Sequence, residues 1–316
     1  MALIMSGAPG PSRRTLIERL LHQTHQICAS FLPPSPSPSL LTLAPPHLAP
    51  APAITSPLRT FLKPPSIATF LTSLSHPFIV KSLTSHWPAL TTRPWSSPAY
   101  LLSHTNSGKR LVPIEIGKSY TDASWGQRII PFKQFLHEYI LHPSPSSTTG
   151  YLAQHDLFSQ VPALRNDIAV PDYCYSSSYT DGDDPDVDDI DTPEPLLNAW
   201  FGPKNTLSPL HTDPYKNILC QVVGRKYIRL YNPHTETPRL FPRGVEAGGV
   251  DMSNTSGVEV GWREGRENKQ KIWEEFKKAE YVEGILEPGD GLFIPVGWWH
   301  YVRSLDVSFS VSFWWK

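Results

Sequence analysis

Apolar and polar residues alternate through much of the C-terminal half of the chain, in short runs that end at Gly or Pro. In residues 306–315, for example, Val307, Phe309 and Val311 alternate with serines. Side chains two apart in a strand point to the same side, so this run predicts a strand with one apolar face. Residues 292–295 form another short apolar run between turn signals. Many short strands with sparse helix predict a β-barrel or a β-sandwich.

The N-terminal part has a different pattern. Apolar residues recur near helical spacing in residues 11–32, and eleven prolines follow in residues 33–65. Proline fixes φ and removes a backbone donor, so the second segment predicts a semi-rigid linker. A partner-docking or targeting helix is one interpretation of residues 11–32, and a helix packed on the domain or a frayed end is the simpler one. We predict an N-terminal helix and flexible Pro-rich linker over 1–65, followed by one domain over 66–316.

Composition narrows the class of protein. The net charge at pH 7 is −1, so no global field favours nucleic acid or a membrane surface. The three cysteines are far apart in the chain, which is typical of a reducing compartment. No apolar run approaches membrane-spanning length, and the first residues lack the apolar core of a secretory signal. We therefore expect a protein of the nucleus or cytoplasm, with no membrane and no direct nucleic-acid partner.

Two polar segments stand out. Residues 180–194 form an acidic run that lacks the mid-loop Gly and terminal Glu of a calcium loop. We expect a solvated loop there, and one that could rim a site and attract basic peptides. Asn254, Thr255 and Ser256 match a glycosylation acceptor. Without a secretory signal we interpret them as an ordinary loop.

The candidate metal ligands begin with His211 and Asp213. In an extended segment they share a face, so an imidazole nitrogen and a carboxylate oxygen can converge on one ion. This pair is a weak signal in a chain with 12 histidines, and a strand-edge His is the alternative. Pro214 would end strand pairing and present both side chains at a strand end. A rival pair, His234 and Glu236, follows an Asn-Pro turn and is expected on the surface.

The third ligand is expected near the C-terminus, where His300 lies in an apolar strand. An unpaired buried imidazole is costly there, and a metal supplies a partner; a His in an aromatic cluster is the alternative. Two His and one carboxylate on one face of a metal are the arrangement of non-haem Fe(II) oxygen chemistry. Lys226 shortly follows Gly224 in a mostly apolar strand. If it points inward it needs an anion such as a dicarboxylate, and an exposed hairpin lysine is the alternative.

Several longer motifs occur in an order typical of one family. They lie at residues 110–122, 150–158, 199–203, 207–214, 224–231, 288–290, 293–295 and 299–303, and residues 306–315 complete the match. On these motifs the chain resembles the JmjC-type 2-oxoglutarate oxygenases and, within them, the subgroup of Jumonji domain-containing protein 5. The resemblance covers about residues 60–316.

The resemblance implies a mainly β fold with some helix, the double-stranded β-helix of the cupin or jelly-roll class. It implies that His211, Asp213 and His300 hold Fe(II), with 2-oxoglutarate and O2 bound beside them. Members of the family oxidise 2-oxoglutarate to succinate and CO2 while an aliphatic C–H of the substrate is oxidised. The residues expected to bind 2-oxoglutarate are Lys226, Tyr151, Ser208 and Asn217. For Tyr151 a plain core position is the alternative.

The resemblance also implies a substrate pocket at Glu115, Trp125 and Trp200, although a solvent-facing strand residue is the alternative for Glu115. The partner would be a protein or peptide with a basic side chain, either arginine or methyl-lysine. A carboxylate suits the two parallel hydrogen bonds of a guanidinium, so we prefer arginine hydroxylation to demethylation of methyl-lysine in histone. A non-enzymatic chromatin- or protein-binding module is a further alternative, against which the intact triad and Lys226 argue.

Overall fold

The computed structural model of the chain describes residues 42–44, 48, 50–117, 121, 125–143, 148–176, 194–236, 239–246, 249–260 and 270–316, together with helical positions between Leu16 and Ile27. The strands of these residues, in chain order, are β1 (Arg59–Phe61), β2 (Phe78–Val80), β3 (Leu111–Ile116), β4 (Gly126–Pro131), β5 (Gly150–His155), β6 (Leu196–Gly202), β7 (Leu207–His211), β8 (Lys216–Val223), β9 (Lys226–Tyr231), β10 (Tyr281–Leu286), β11 (Gly291–Ile294), β12 (Trp299–Ser304) and β13 (Ser308–Trp315).

Short helices connect the strands. The α-helices are Ile67–Leu71, Pro98–His104, Phe132–Phe135, Leu157–Gln160, Pro162–Arg165, Pro233–Glu236 and Gln270–Phe276. Single turns of 3₁₀-helix lie at Pro88–Leu90 and Asp172–Tyr175, and a π-helix lies at Leu136–Leu141.

The strands form two sheets whose inner faces meet. The larger sheet has the order β1-β2-β11-β8-β13-β6-β5-β3-β4, and the smaller has the order β10-β9-β12-β7. Leu219 and Ile294 of the larger sheet pack in one buried cluster with Ile228 and Val302 of the smaller. The prediction of a mainly β fold, a barrel or sandwich of many short strands, is therefore confirmed.

Each sheet is also covered on its outer face. Phe313 of β13 belongs to a large buried cluster with Phe70 and Phe135, which lie on the helices outside the larger sheet. Tyr231 of β9 packs with Phe276 of the last helix on the outside of the smaller sheet. The interior between the two sheets is thus separate from the buried clusters on their outer faces. The candidate site lies in this interior.

Strand β13 has its predicted apolar face, but its serine face is buried as well. The Gln221 side-chain NH₂ donates to the hydroxyl of Ser308 at 2.9 Å, and Ser310 donates to the Gln221 side-chain oxygen at 2.7 Å. Trp200 donates its indole N–H to Ser312 at 2.9 Å. The serine face of β13 can be buried because its hydroxyl groups form hydrogen bonds with neighbouring polar side chains.

A short stretch within the predicted linker lies on the domain. Strand β1 pairs in parallel with β2, and Leu58 is buried between the sheets. Just before it, the backbone N–H of Thr55 donates to the Glu283 carboxylate at 2.7 Å, and that of Leu58 donates to the Glu283 carbonyl at 2.9 Å. The chain from residue 55 onward therefore contributes to both sheets, N-terminal to the expected boundary at residue 66.

Other predicted segments are only partly described. The acidic run 180–194 lies outside the described residues except for Glu194, which accepts a hydrogen bond from the Tyr175 hydroxyl at 3.1 Å. Residues 11–32 are helical at the described positions, where Leu16, Leu20 and Ile27 are more than half exposed. None of the described helices has the length and apolar character needed to cross a membrane.

The packing of the N-terminal stretch generates a matched pair of stability predictions. Leu58 is 5% exposed, whereas Leu62, four residues later, is 80% exposed. We expect Leu58→Ala to lower the free energy of unfolding by about 2–5 kcal/mol, as for other buried leucines, and Leu62→Ala to change it by less than about 0.5 kcal/mol. Denaturant unfolding followed by circular dichroism measures both. Equal effects of the two changes would contradict the packing of this stretch on the domain.

Candidate active site

The three predicted metal ligands meet at one end of the smaller sheet. Strands β7 and β12 are antiparallel neighbours, and His211 is directly opposite His300 in their register. Asp213 follows two residues after His211, where the chain leaves the strand. The Asp213 carboxylate lies 3.8 Å from Nε2 of His211 and 3.4 Å from Nε2 of His300. One donor atom from each residue lies within 4.8 Å of the other two, which is the convergence that one shared ion requires.

Backbone carbonyls fix the orientation of both imidazole rings. Nδ1 of His211 is 2.7 Å from the Pro209 carbonyl oxygen, and Nδ1 of His300 is 3.0 Å from that of Trp298. A carbonyl only accepts, so each Nδ1 carries the hydrogen and each neutral ring keeps its Nε2 lone pair towards the site. Sequence patterns did not identify these partners. Each carbonyl lies two residues before its His. The contact depends on local backbone geometry, so residue types do not reveal it.

The electrostatics of the triad favour a carboxylate beside at least one neutral imidazole. Burial, with the neighbouring His300, lowers the pKa of His211 to about 4. For Asp213, burial is outweighed by the hydrogen bond and charge of His300, so the pKa of the carboxyl is lowered. The pKa of His300 is raised, because Asp213 outweighs the opposing effect of burial. Protonation of His300 beside Asp213 would therefore compete with metal binding.

A cavity opens between the sheets at the triad. Five further residues that the sequence singled out line it: Tyr151, Trp200, Ser208, Asn217 and Lys226. The rest of the wall is made by Leu219, Ile294, Val302 and Ser312. The structure therefore brings the ligand triad and all four candidate co-substrate residues to a single cavity.

Lys226 places its amine in this cavity. It is 2% exposed, which excludes an exposed hairpin lysine. Burial lowers its pKa to about 7. Its ammonium donates to the Tyr151 hydroxyl at 3.4 Å, and no carboxylate among the described residues forms an ion pair with it. A buried cation with only a neutral partner is costly, so the cavity favours an anion at this point.

The turn before β9 brings Lys226 into the cavity. Gly224 has a φ of +67°, and a Cβ at this position would collide with the Val307 carbonyl oxygen. Only glycine fits such a close approach with positive φ. Arg225 then forms a buried ion pair with Asp306, with 2.8 Å between Nε and the carboxylate. The basic residue before Lys226 is thus held outside the cavity, and Lys226 is directed inward.

Two neutral polar side chains, Tyr151 and Asn217, line the same cavity as Lys226. Burial and the nearby charge of Glu115 raise the pKa of Tyr151, while a hydrogen bond with Ser208 opposes the rise. The hydroxyl therefore stays protonated and can donate. Asn217 is 5% exposed, and its side-chain carbonyl oxygen has no hydrogen-bond partner among the described residues. Buried polar groups are normally paired, so the amide indicates a ligand with a matching donor or a water.

The predicted substrate residues are divided between the cavity and its surroundings. Trp200 lines the cavity, and its ring centroid is 6.2 Å from that of Tyr151. Glu115 is not part of the cavity wall but lies on β3, directly opposite Tyr151 of β5. Burial raises the pKa of Glu115, and Trp125 partly offsets that rise. The pair Glu115 and Trp125 is therefore close together, one strand beyond the cavity.

Sequence reasoning missed one polar cavity residue, Ser312. The alternation of serines along β13 identified one face of a strand but not the environment of that face. The pairing of β13 with β6 and β8 on either side shows that the serine face is interior. The signal was present in the neighbouring residues, because Trp200 needs a partner for its indole N–H when buried.

Of the rival pair, His234 lies on the surface, as the sequence predicts, whereas Glu236 is buried and forms an ion pair with Arg239 at 3.1 Å. His234 is exposed in the short helix Pro233–Glu236. Asn232 accepts a hydrogen bond from the His234 backbone N–H at 2.8 Å, which is the cap expected of an Asn-Pro turn.

Comparison with known proteins shows which family shares these features. A family model described as a cupin-like domain matches residues 64–316. Lysine-specific demethylase 8 of Danio rerio is 47% identical over 241 residues, which cover 76% of this chain and 53% of that protein. Lysine-specific demethylase JMJ30 of Arabidopsis thaliana is 41% identical over 243 residues, covering 76% and 50%. Jumonji C domain-containing protein 5 of Drosophila melanogaster is 38% identical over 261 residues, covering 81% and 59%. The chain spans about half the length of these curated relatives.

The triad generates a prediction about metal binding. Asp213→Ala removes one of three converging donors, so we expect the affinity for Mn(II) to fall by more than about 100-fold. Losing a residue that only supports a metal ligand costs about 10- to 100-fold in affinity, and losing the ligand itself costs more. His234→Ala, at the exposed rival position, should leave the affinity unchanged. Titration calorimetry without co-substrate measures both. Unchanged Mn(II) affinity in the Asp213 variant would remove this residue from the ligand set.

Proposed function

The chain belongs to the cupin-like JmjC family, and we propose that it is an Fe(II)- and 2-oxoglutarate-dependent protein oxygenase that hydroxylates arginine side chains. One observation carries the proposal: a His-Asp-His triad and a buried lysine without a carboxylate partner among the described residues line the same cavity. The triad fits a metal with open coordination positions, and the lysine fits one end of a dicarboxylate.

The donor set fits Fe(II). Two imidazoles and one carboxylate on one face leave positions on the metal for other molecules, and this set is typical of non-haem iron oxygenases. When bound, Fe(II) and 2-oxoglutarate would supply the activation of O2, with one oxygen atom entering the co-substrate as it becomes succinate and CO2 and the other entering a C–H bond. The contribution of His211 and His300 is to present fixed Nε2 lone pairs.

The opposite part of the cavity fits 2-oxoglutarate. Lys226 would pair with the carboxylate far from the metal, and the Tyr151 hydroxyl, 3.4 Å from its ammonium, would donate to the same group. Ser208 and the amide NH₂ group of Asn217 would donate further hydrogen bonds along the molecule. Charge-assisted hydrogen bonds of this kind are about twice as strong as neutral ones, and the cavity supplies the desolvated environment in which they are strongest.

The cavity walls contribute by excluding water. Leu219, Ile294 and Val302 present aliphatic side chains next to the polar groups, and all three belong to the buried cluster between the sheets. A dry pocket protects a reactive oxidant from side reactions and keeps the reacting groups in place. The protein therefore provides position and shelter, while the metal and its co-substrate provide the redox chemistry.

Arginine is the substrate that the surroundings of the cavity favour. Glu115 is partly buried, and its pKa is raised by burial rather than lowered by a cation. A guanidinium would supply the missing positive charge and form two parallel hydrogen bonds with the carboxylate. Trp125 beside it and Trp200 in the cavity would pack on the planar cation. We propose that a protein or peptide substrate places its arginine here, with its aliphatic part towards the triad.

A second candidate is demethylation of methyl-lysine in histone. The relatives from Danio rerio and Arabidopsis thaliana carry the name of lysine-specific demethylases, and hydroxylation of an N-methyl group would use the same cavity. For either function, we propose that the protein acts in the nucleus or the cytoplasm. A non-enzymatic binding module is a weaker alternative, since binding alone needs neither the converging triad nor the buried Lys226.

The decisive test is turnover with a defined product. The protein is incubated with Fe(II), 2-oxoglutarate, ascorbate and a library of arginine and methyl-lysine peptides, with Asp213→Ala as the inactive control. We expect succinate to form above the control and arginine peptides to gain one oxygen atom by mass spectrometry. Loss of a methyl group from lysine would instead establish demethylation. No succinate and no affinity for 2-oxoglutarate would leave the binding module as the better function.

The low pKa of Lys226 generates a pH prediction. With a pKa of about 7 in the free protein, the ammonium form predominates below pH 7 and the neutral amine above it. Only the ammonium form pairs with a carboxylate, so we expect 2-oxoglutarate affinity to be full below pH 7 and to fall by up to about tenfold per unit above it. Anaerobic calorimetry with Mn(II) between pH 6 and 9 measures this. Lys226→Met should bind weakly with a flat profile, and a flat profile in the unchanged protein would place the anion elsewhere.

A further inference from the structure

Strand β7 is an edge strand of the smaller sheet, yet it ends in a predicted metal ligand. In the part of the chain that the structure describes, the sheet order β10-β9-β12-β7 leaves one side of β7 without a neighbouring strand. Edge strands expose unpaired backbone groups, and a frayed edge at this position would move His211 and Asp213. The means by which this edge is held is therefore relevant to the geometry of the triad.

Residues 254–256 cover the edge at the ligand-bearing end. Ser256 donates its backbone N–H to the Leu210 carbonyl at 2.8 Å, and Thr212 donates its own to the Asn254 carbonyl at 2.9 Å. Between them, Thr255 and His211 form an antiparallel bridge. The ladder thus continues past His211 to Thr212, the residue that separates the two neighbouring ligands.

The side chain of Asn254 completes this contact. Its amide nitrogen donates to the Thr212 carbonyl at 3.3 Å. The Thr255 hydroxyl donates to the Asn254 side-chain oxygen at 3.2 Å, which orients the amide with its NH₂ group towards Thr212. Both polar groups of the Thr212 backbone are therefore bound by one residue, Asn254.

The covering segment is itself firmly anchored. Thr255 is 1% exposed and Ser256 is 4% exposed. The Ser256 hydroxyl donates to the Leu240 carbonyl at 2.5 Å, and Arg243 donates its backbone N–H to the Thr255 carbonyl at 2.9 Å. The segment is thus joined to the preceding part of the same connection, and it can act as a fixed support for β7.

We infer that Asn254, oriented by Thr255, is a positioning residue of the metal triad, holding the peptide between His211 and Asp213 so that both donors face one ion. On the other side, Gly297 donates its backbone N–H to the Asp213 carbonyl at 3.2 Å. The ligand-bearing turn is therefore supported from both sides. The inference rests on the proposed metal site, and it gives the motif Asn254–Thr255–Ser256 a function other than glycosylation.

The test compares metal affinity among variants that separate the hydrogen bonds from packing. Asn254→Ala removes the amide and keeps the backbone acceptor, and Thr255→Val keeps the shape and removes the hydroxyl. We expect each to weaken Co(II) or Mn(II) binding by about 3- to 10-fold, the range that one hydrogen bond supplies, and to alter the visible Co(II) spectrum. Thr255→Ser keeps the hydroxyl and should restore affinity to near that of the unchanged protein. Ser253→Ala, next to the segment, is the neutral control.

The two contacts form one unit, so the double variant Asn254→Ala/Thr255→Val should lose no more affinity than either single variant. Lower thermal stability without any change in metal affinity or Co(II) spectrum would overturn the inference, as would an equal loss in Thr255→Ser and Thr255→Val. If the unchanged protein binds no divalent metal, the inference falls with the metal site. Metal binding without 2-oxoglutarate turnover would contradict the proposed activity alone and leave the positioning result valid.

Discussion

The register of strand β12 with its two neighbours is the constraint on which the candidate site depends. On one side His300 is opposite His211 of β7, and on the other Ser304 is opposite Lys226 of β9. A slip of one residue would turn every side chain of β12 to the other face. The triad would then lose His300 to the outer cluster, and the cavity would receive Tyr301 instead. One strand therefore aligns the metal end and the anion end of the same cavity.

Unpaired charge is the second physical feature of this region. The ammonium of Lys226 is inside the cavity with a tyrosine hydroxyl as its hydrogen-bond partner, and the carboxylate of Glu115 lies one strand further out. Among the described residues the two groups form no ion pair with each other, and burial shifts the pKa of each towards its neutral form. The free-energy cost of burying each unpaired charge is reduced when a ligand of opposite charge binds. Affinity for a dicarboxylate and for a basic side chain would therefore come from charges that the free protein keeps at a cost.

The alternation of side chains along a strand predicted some of the residues of this site. His211 and Asp213 are two residues apart, and an apolar strand around His300 indicated a buried imidazole, so both segments could be identified in the sequence. The pattern left Lys226 undecided because inward and outward positions alternate, and only the turn at Gly224 and the ion pair of Arg225 fix which one applies. The family resemblance supplied Tyr151, Ser208 and Asn217. Ser312 was missed because a serine row looks the same in sequence whether water or another strand covers it.

Contacts between distant segments account for what sequence reasoning could not supply. Residues 254–256 have no apolar period and lie in a polar stretch, so their sequence indicates only a loop. Their importance arises from where β7 ends: Pro214 stops further pairing just after the ligands, and the backbone of Thr212 must find partners outside the sheet. Two separate connections supply these partners and more: Asn254 binds both polar groups of the Thr212 backbone, and Gly297 donates to the Asp213 carbonyl. The placement of the candidate metal ligands therefore depends on both connections.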